Sequence, residues 1–348
     1  MSLAELSAAE VKLQDDVFME PYELGHGLPV FITPKRSELG SDQAAFKSWF
    51  IAMREDLMDL THQRGAVVLR GFAVHQTEDF AAIIDGFKSP EFGYAGGATP
   101  RGALADKVFE STKYPSQYKL PMHQEMAYLP HYPSALLFFC RLAAETGGET
   151  IIGNMREFGR SLPPKFADAL RDKGVRYVRN YRDPAWSTGN QLLDDYHRPW
   201  TDSLGTTDRA EAEKLCRDMG VEPRWEANGS LSMIYVGPAF VSHPETGEEI
   251  WFNQLVTQFY TPELIGEERY SLIPQHYSPG APPPVQVTFG DGTLFDPDLI
   301  VSLAQNITSK EVAFPWQDGD IMILDNFLTA HGRNPFTGKR DVQVALVA

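Results

Sequence analysis

The chain has 348 residues, of which 43% are apolar and 6 are Trp, so it can bury a substantial core and a disordered chain is excluded. Its 47 Asp and Glu against 31 Lys and Arg give a net charge of −16, which repels nucleic acid and anionic membrane over the surface as a whole. Two cysteines make no disulfide framework, the acidic N-terminus has no apolar leader and no run of about 18 apolar residues occurs, so a cytoplasmic protein is expected, neither secreted nor membrane-spanning.

In chain order, residues 28–32 read as a short strand closed by Pro34. Phe46, Trp49, Phe50, Met53, Leu57 and Leu60 recur at helical spacing. They predict one helix up to Gln63, capped by Ser41 or Asp42 and ended by Gly65. Residues 66–69 follow as a buried strand, and Thr77 caps a short helix through Ile84. Residues 89–120 carry the Gly and Pro content of a mobile loop, with a strand near 108–111.

Beyond Glu125, residues 135–140 are continuously apolar and read as a central strand, followed by a Gly147-Gly148 turn and a strand at 150–152. Residues 156–230 read as an insertion with helices near 164–172 and 209–219 and a polar, aromatic stretch at 177–200. Strands are expected at 231–236 and 249–252. An irregular segment is expected around 262–310, proline-rich from 262 to 284, with a helix from Asp296 or Asp298 to Gln305. Residues 321–324 and 342–347 supply closing strands. Short strands in two groups around helical insertions predict a β-rich α+β fold: a double-stranded β-helix, or jelly roll, with flanking helices, formed as a single domain over residues 1–348.

The stretch with chemistry in it is His123-Gln124-Glu125. Residues i and i+2 share a face only on extended chain, and Pro121 and Pro130 disfavour a helix there, so imidazole and carboxylate are expected to point together. The buried strand at 321–324 delivers His331. Two histidines and one carboxylate on adjoining strands make the facial triad of non-haem iron(II) oxygenases, with open positions for substrate chemistry. A bare His-x-Glu is more often two ordinary surface residues, so the surrounding motifs decide.

Those motifs are Asp325-Asn326 ahead of His331-Gly332-Arg333, Phe336-Thr337-Gly338-Lys339-Arg340, Arg64-Gly65-Ala66-Val67-Val68-Leu69-Arg70-Gly71-Phe72, Gly96-Gly97-Ala98-Thr99-Pro100-Arg101, Gly147-Gly148-Glu149-Thr150, Trp251-Phe252-Asn253-Gln254 and Phe314-Pro315-Trp316-Gln317-Asp318-Gly319-Asp320. Over residues 60–348 this ordered set resembles the taurine dioxygenase (TauD/TfdA) superfamily. It is most similar to the branch with a Glu ligand and a His-Gly-Arg motif, which includes SyrP-like hydroxylases of amino acids in natural-product pathways.

The resemblance implies an enzyme using Fe(II), 2-oxoglutarate and O2, with His123, Glu125 and His331 on the metal, Arg340 and Thr150 on the distal carboxylate of 2-oxoglutarate, and release of succinate and CO2. It places Arg333 and Arg101 toward a carboxylate-bearing substrate, although an arginine in a loop more commonly pairs with a structural acid. Phe252 and Asn253 are pocket-lining candidates, although aromatic residues in a β core are more often packing. The position of the family's taurine-binding arginine is Val344 here, so taurine is not expected, and Glu125 argues against halogenation, which needs that ligand position empty. The implied substrate is amino-acid-like, free or presented by a carrier protein, and a homo-oligomer is compatible with the sequence. Desaturation or ring closure by the same centre, a zinc hydrolase with the same ligands and a non-catalytic binding homologue are the alternatives. His131 and His197 are the other histidines weighed as ligands; a solvated loop position and a lid position suit them better.

Overall fold

A computed structural model describes residues 7–94, 103–111 and 114–348. Its largest sheet has eight strands in the order Val17–Pro21, Val30–Pro34, Ala66–Leu69, Ile321–Asp325, Ala135–Leu142, Asp341–Val347, Val108–Glu110 and Ala103–Ala105. The central strands read as unbroken apolar runs because both of their faces are covered. Val67, Leu69, Leu137, Phe139, Ile321 and Ile323 face a layer of helices through Phe46, Leu57, Leu60 and Phe80. The alternate residues Val68, Leu136, Phe138, Met322, Leu324 and Val344 face inward, against Ile152 and Phe314. The inner partner is a four-stranded sheet in the order Val312–Ala313, Thr150–Asn154, Thr329–Arg333 and Leu120–His123. The result is a β-rich α+β sandwich whose smaller sheet carries both histidines of interest.

The helix expected up to Gln63 is two, Gln43–Ala52 and Arg54–Arg64, broken at Met53 with φ −97° and ψ 6°. Asp42 is the residue that caps the first, accepting from the Ala44 and Ala45 amides, and Gly65, at φ 92°, ends the second. A Cβ at residue 65 would stand 2.6 Å from Thr329 Oγ1, so glycine is needed there for space as well as for backbone. Gln76, not Thr77, is the cap residue of the helix Thr77–Ile84, and the Asp79 carboxylate accepts its backbone amide at 2.9 Å.

The insertion differs most from expectation. It holds the helices Pro164–Lys173 and Arg209–Asp218, but also the strand Val175–Tyr181, which runs into the stretch read as polar and aromatic. That strand pairs with Leu231–Gly237 and Val285–Phe289, and Glu222–Trp225 completes a further four-stranded sheet. Its sequence, Val-Arg-Tyr-Val-Arg-Asn-Tyr, hides the strand because its buried positions include Arg179 and Asn180. The module therefore runs on to residue 289. The segment expected to be irregular holds the helices Pro262–Ile265, Glu267–His276 and Pro297–Ser309, the last capped by Asp296. No helix among the described residues is long and apolar enough to cross a membrane.

Candidate active site

The strand Leu120–His123 pairs with Thr329–Arg333 so that His123 lies directly opposite His331, with ring centres 4.5 Å apart. The strands can approach this closely because residue 332 is glycine: a Cβ there would lie 2.4 Å from the Leu120 carbonyl oxygen and 3.0 Å from the Met122 nitrogen. Extended chain ends at His123, however, and Glu125 opens a turn instead of continuing the strand as expected, with Met126 at φ 57°. The turn still returns the carboxylate to the histidines. Glu125 Oε2 is 3.7 Å from His331 Nε2, and one donor atom from each of His123, Glu125 and His331 lies within 4.8 Å of the others. Gln124 points the other way, its amide donating to the carbonyls of Trp251 and Phe327.

Asn326 fixes the turn. Its side-chain oxygen accepts the Glu125 amide at 2.7 Å, and its nitrogen donates to the carbonyls of Glu125 at 3.0 Å and Pro133 at 2.8 Å. Its neighbour Asp325 accepts the amides of Phe327 and Leu328 on one carboxylate oxygen, shaping the bend that leads to His331. The other oxygen accepts from His62 Nδ1 at 2.7 Å and His243 Nε2 at 2.8 Å. Burial opposes ionisation of Asp325, but the bonds from His243, His62 and the Leu328 amide outweigh it and hold the carboxyl below its ordinary range.

His62, His243 and Asp325 thus make a second group with metal-ligand chemistry that no sequence motif marks, because two isolated histidines far apart in the chain share no spacing. Its bonding is that of a proton-held cluster. His243 Nδ1 accepts the Glu245 and Thr246 amides, which leaves the ring proton on Nε2, directed at Asp325.

The first group fits a metal better. His123 Nδ1 contacts the Pro121 carbonyl at 2.9 Å, so it carries the ring proton and Nε2 the lone pair. Two imidazoles and one carboxylate on one side of an ion suit iron(II) and leave three positions of an octahedron open.

Arg340 stands just ahead of the strand Asp341–Val347, with its Nε bonded to the Gly148 carbonyl at 2.9 Å and its guanidinium 5.7 Å from the Phe336 ring. Burial first, and then the positive charge of Arg333, lower its pKa to about 10, so it stays protonated at neutral pH under strain that an incoming carboxylate would relieve. Thr150, buried two residues beyond Gly148, accepts from Trp316 Nε1 at 3.1 Å. A guanidinium fork and a hydroxyl here suit the distal carboxylate of a 2-oxo acid.

The remaining predicted residues fare differently. Arg333 forms no ion pair with an acid among the described residues: its guanidinium donates to the carbonyls of Tyr114, Pro115 and Tyr118 and so straps the 114–118 segment to the metal-bearing strand. Phe252 packs between Tyr132 and Phe327, with ring centres 4.5 and 5.0 Å away. Asn253 lines a crevice with His123 and Gln254, but its amide is engaged by the Ala239 carbonyl and the Leu255 amide. Arg101 lies outside the described residues. His131 packs on Phe92, and His197 is buried against Asn180, so neither approaches the triplet. Val344 is buried in the sandwich core.

The sequence pattern of the family described as taurine catabolism dioxygenase TauD, TfdA matches residues 32–346, and the chain belongs to that family. It is an Fe(II)/2-oxoglutarate-dependent oxygenase, with O2 as the co-oxidant. A clavaminate synthase-like protein of Arabidopsis thaliana is 31% identical over 297 residues, covering 83% of each chain. The dapdiamide synthesis protein DdaC of Enterobacter agglomerans is 28% identical over 296 residues, covering 83% of this chain and 84% of its own. Among solved structures, AAD-2 in complex with Mn(II) and N-oxalylglycine superposes with TM-score 0.51 at 11% identity, covering 95% of this chain and 97% of its own. PvcB of Pseudomonas aeruginosa superposes with TM-score 0.50 at 15% identity, covering 100% and 94%. At such identities the two structures speak to the fold.

Proposed function

We propose that the protein hydroxylates an unactivated C–H of an amino-acid-like small molecule, free or tethered to a carrier protein, in the making of a natural product. His123, Glu125 and His331 hold the iron, and Arg340 with Thr150 holds 2-oxoglutarate. The observation that carries the reading is the convergence of three donors from two paired strands and one clamped turn. The relative named for dapdiamide synthesis supports the natural-product setting. Glu125 occupying the third ligand position favours hydroxylation over halogenation.

The two-sheet frame reads as a double-stranded β-helix, and residues 1–348 as one catalytic domain with the further sheet built on Val175–Tyr181 as its elaboration. Two buried thiols, both pushed by burial up to about 12, suit a reducing cytoplasm. When bound, the iron and its 2-oxo acid supply O2 activation coupled to decarboxylation, yielding succinate and CO2. The chain's own part is positional: Arg340 and Thr150 fix one end of the 2-oxo acid, Asn326 holds the Glu125 turn, and Arg333 keeps the 114–118 strap against the metal-bearing strand.

The test is anaerobic addition of iron(II) and then 2-oxoglutarate, watching the visible charge-transfer band. Wild type is expected to form it, His123→Ala to lack it, and Arg340→Ala to need far more 2-oxoglutarate. A wild type that forms no band overturns the reading. Succinate release across an amino-acid panel then identifies the substrate.

A further inference from the structure

Glu125 offers two oxygens, and they have different surroundings. Oε2 faces His331 Nε2 at 3.7 Å, whereas the Tyr94 hydroxyl donates to Oε1 at 3.1 Å. A carboxylate with both oxygens free can grip a cation with either or both, and each change moves the charge and the number of open positions on the ion. A donor on one oxygen removes that choice, as groups bonded to metal ligands generally do.

We infer that Tyr94 is a positioning residue that makes Glu125 a one-oxygen ligand through Oε2; the inference rests on the metal assignment above. The ring behind the hydroxyl is suited to the task. It is wedged between two cores, packing on the sandwich cluster of Phe138 and Val344 and on the insertion cluster of Tyr128 and Tyr177. The phenol oxygen is thereby held from both sides, and the contact joins the insertion to the metal centre.

The bond also explains why Tyr94, 31 residues before Glu125, matters in a segment whose sequence reads only as Gly- and Pro-rich loop. Tyr128 provides the internal comparison. It is equally tied to this region, three residues past Glu125, but its buried hydroxyl makes no hydrogen bond among the described residues.

The experiment compares Tyr94→Phe and Tyr128→Phe with wild type in anaerobic iron(II) titration, and then reads the position of the charge-transfer band with 2-oxoglutarate. Thermal midpoints of the metal-free proteins report folding. Tyr94→Phe is expected to bind iron(II) roughly 10- to 100-fold more weakly and to shift the band, with a wild-type midpoint, while Tyr128→Phe keeps wild-type affinity and band. Tyr94→Phe within about twofold of wild type with an unshifted band overturns the inference, since losing a group bonded to a metal ligand usually costs more. Equal losses in both variants overturn it as well. If Tyr94→Phe lowers the midpoint, Tyr94→Met, an adaptable apolar side chain that cannot donate, takes its place under the same criteria. No band in wild type would instead count against the metal assignment itself.

Discussion

Replacing Asn326 with Ala removes the clamp on the Glu125 turn. Three bonds disappear, to the Glu125 amide, the Glu125 carbonyl and the Pro133 carbonyl, at a site where Asn326 is fully buried. Three ordinary hydrogen bonds contribute about 3 kcal/mol net, and stranding their buried partners adds about 1 to 2 kcal/mol, so a loss of about 4 to 5 kcal/mol is expected. Urea unfolding of the metal-free protein measures it, with an unchanged slope showing that the unfolded state is not at issue. Asn326→Asp is a sharper probe. It keeps an acceptor for the Glu125 amide but turns a carboxylate toward two carbonyls, so it should be at least as unstable as the alanine variant. An alanine variant within about 1 kcal/mol of wild type would refute the clamp, since a buried amide with three partners cannot be that cheap to remove.

Two further outcomes follow from the same strands. Gly332→Ala puts a Cβ against backbone on the neighbouring strand, where nothing flexible can yield, so a loss of about 3 kcal/mol or more and abolished iron(II) binding are expected in unfolding and titration assays. Asp325→Asn removes a carboxylate whose pKa is lowered in the fold, and such a group stabilises above its unfolded pKa, with that stability lost as pH falls through the folded value. The variant should therefore be less stable at neutral pH, by about 3 kcal/mol, yet lose less on acidification below roughly pH 4. An acid limb as steep as wild type in a pH series of urea midpoints would refute that account.

Much of the site was legible because its signals are local. Pro121 and Pro130 around His123-Gln124-Glu125 excluded a helix, and the apolar run at 321–324 announced the strand before His331. The pairing of Leu120–His123 with Thr329–Arg333 set the two histidines side by side, and the turn after His123, not a continued strand, returned Glu125 to them. Even Gly332 has its local mark in the motif, although only the 2.4 Å approach of the Leu120 carbonyl gives the reason.

What the sequence by itself determined was therefore the set of residue types, the periods of the core strands and the family they belong to. Only the tertiary structure decided which partner each polar group found. Arg333 could have met an acid or a substrate, and three carbonyls of the 114–118 strap took it. His62 and His243 converge on Asp325 from 263 and 82 residues away, and Asn180 and Arg179 sit in a strand that their own polarity disguised. Periodicity records which face of an element is buried, a property of near neighbours in the chain. Hydrogen bonds between buried polar groups depend on the chain's closure over hundreds of residues, and no local pattern carries that information.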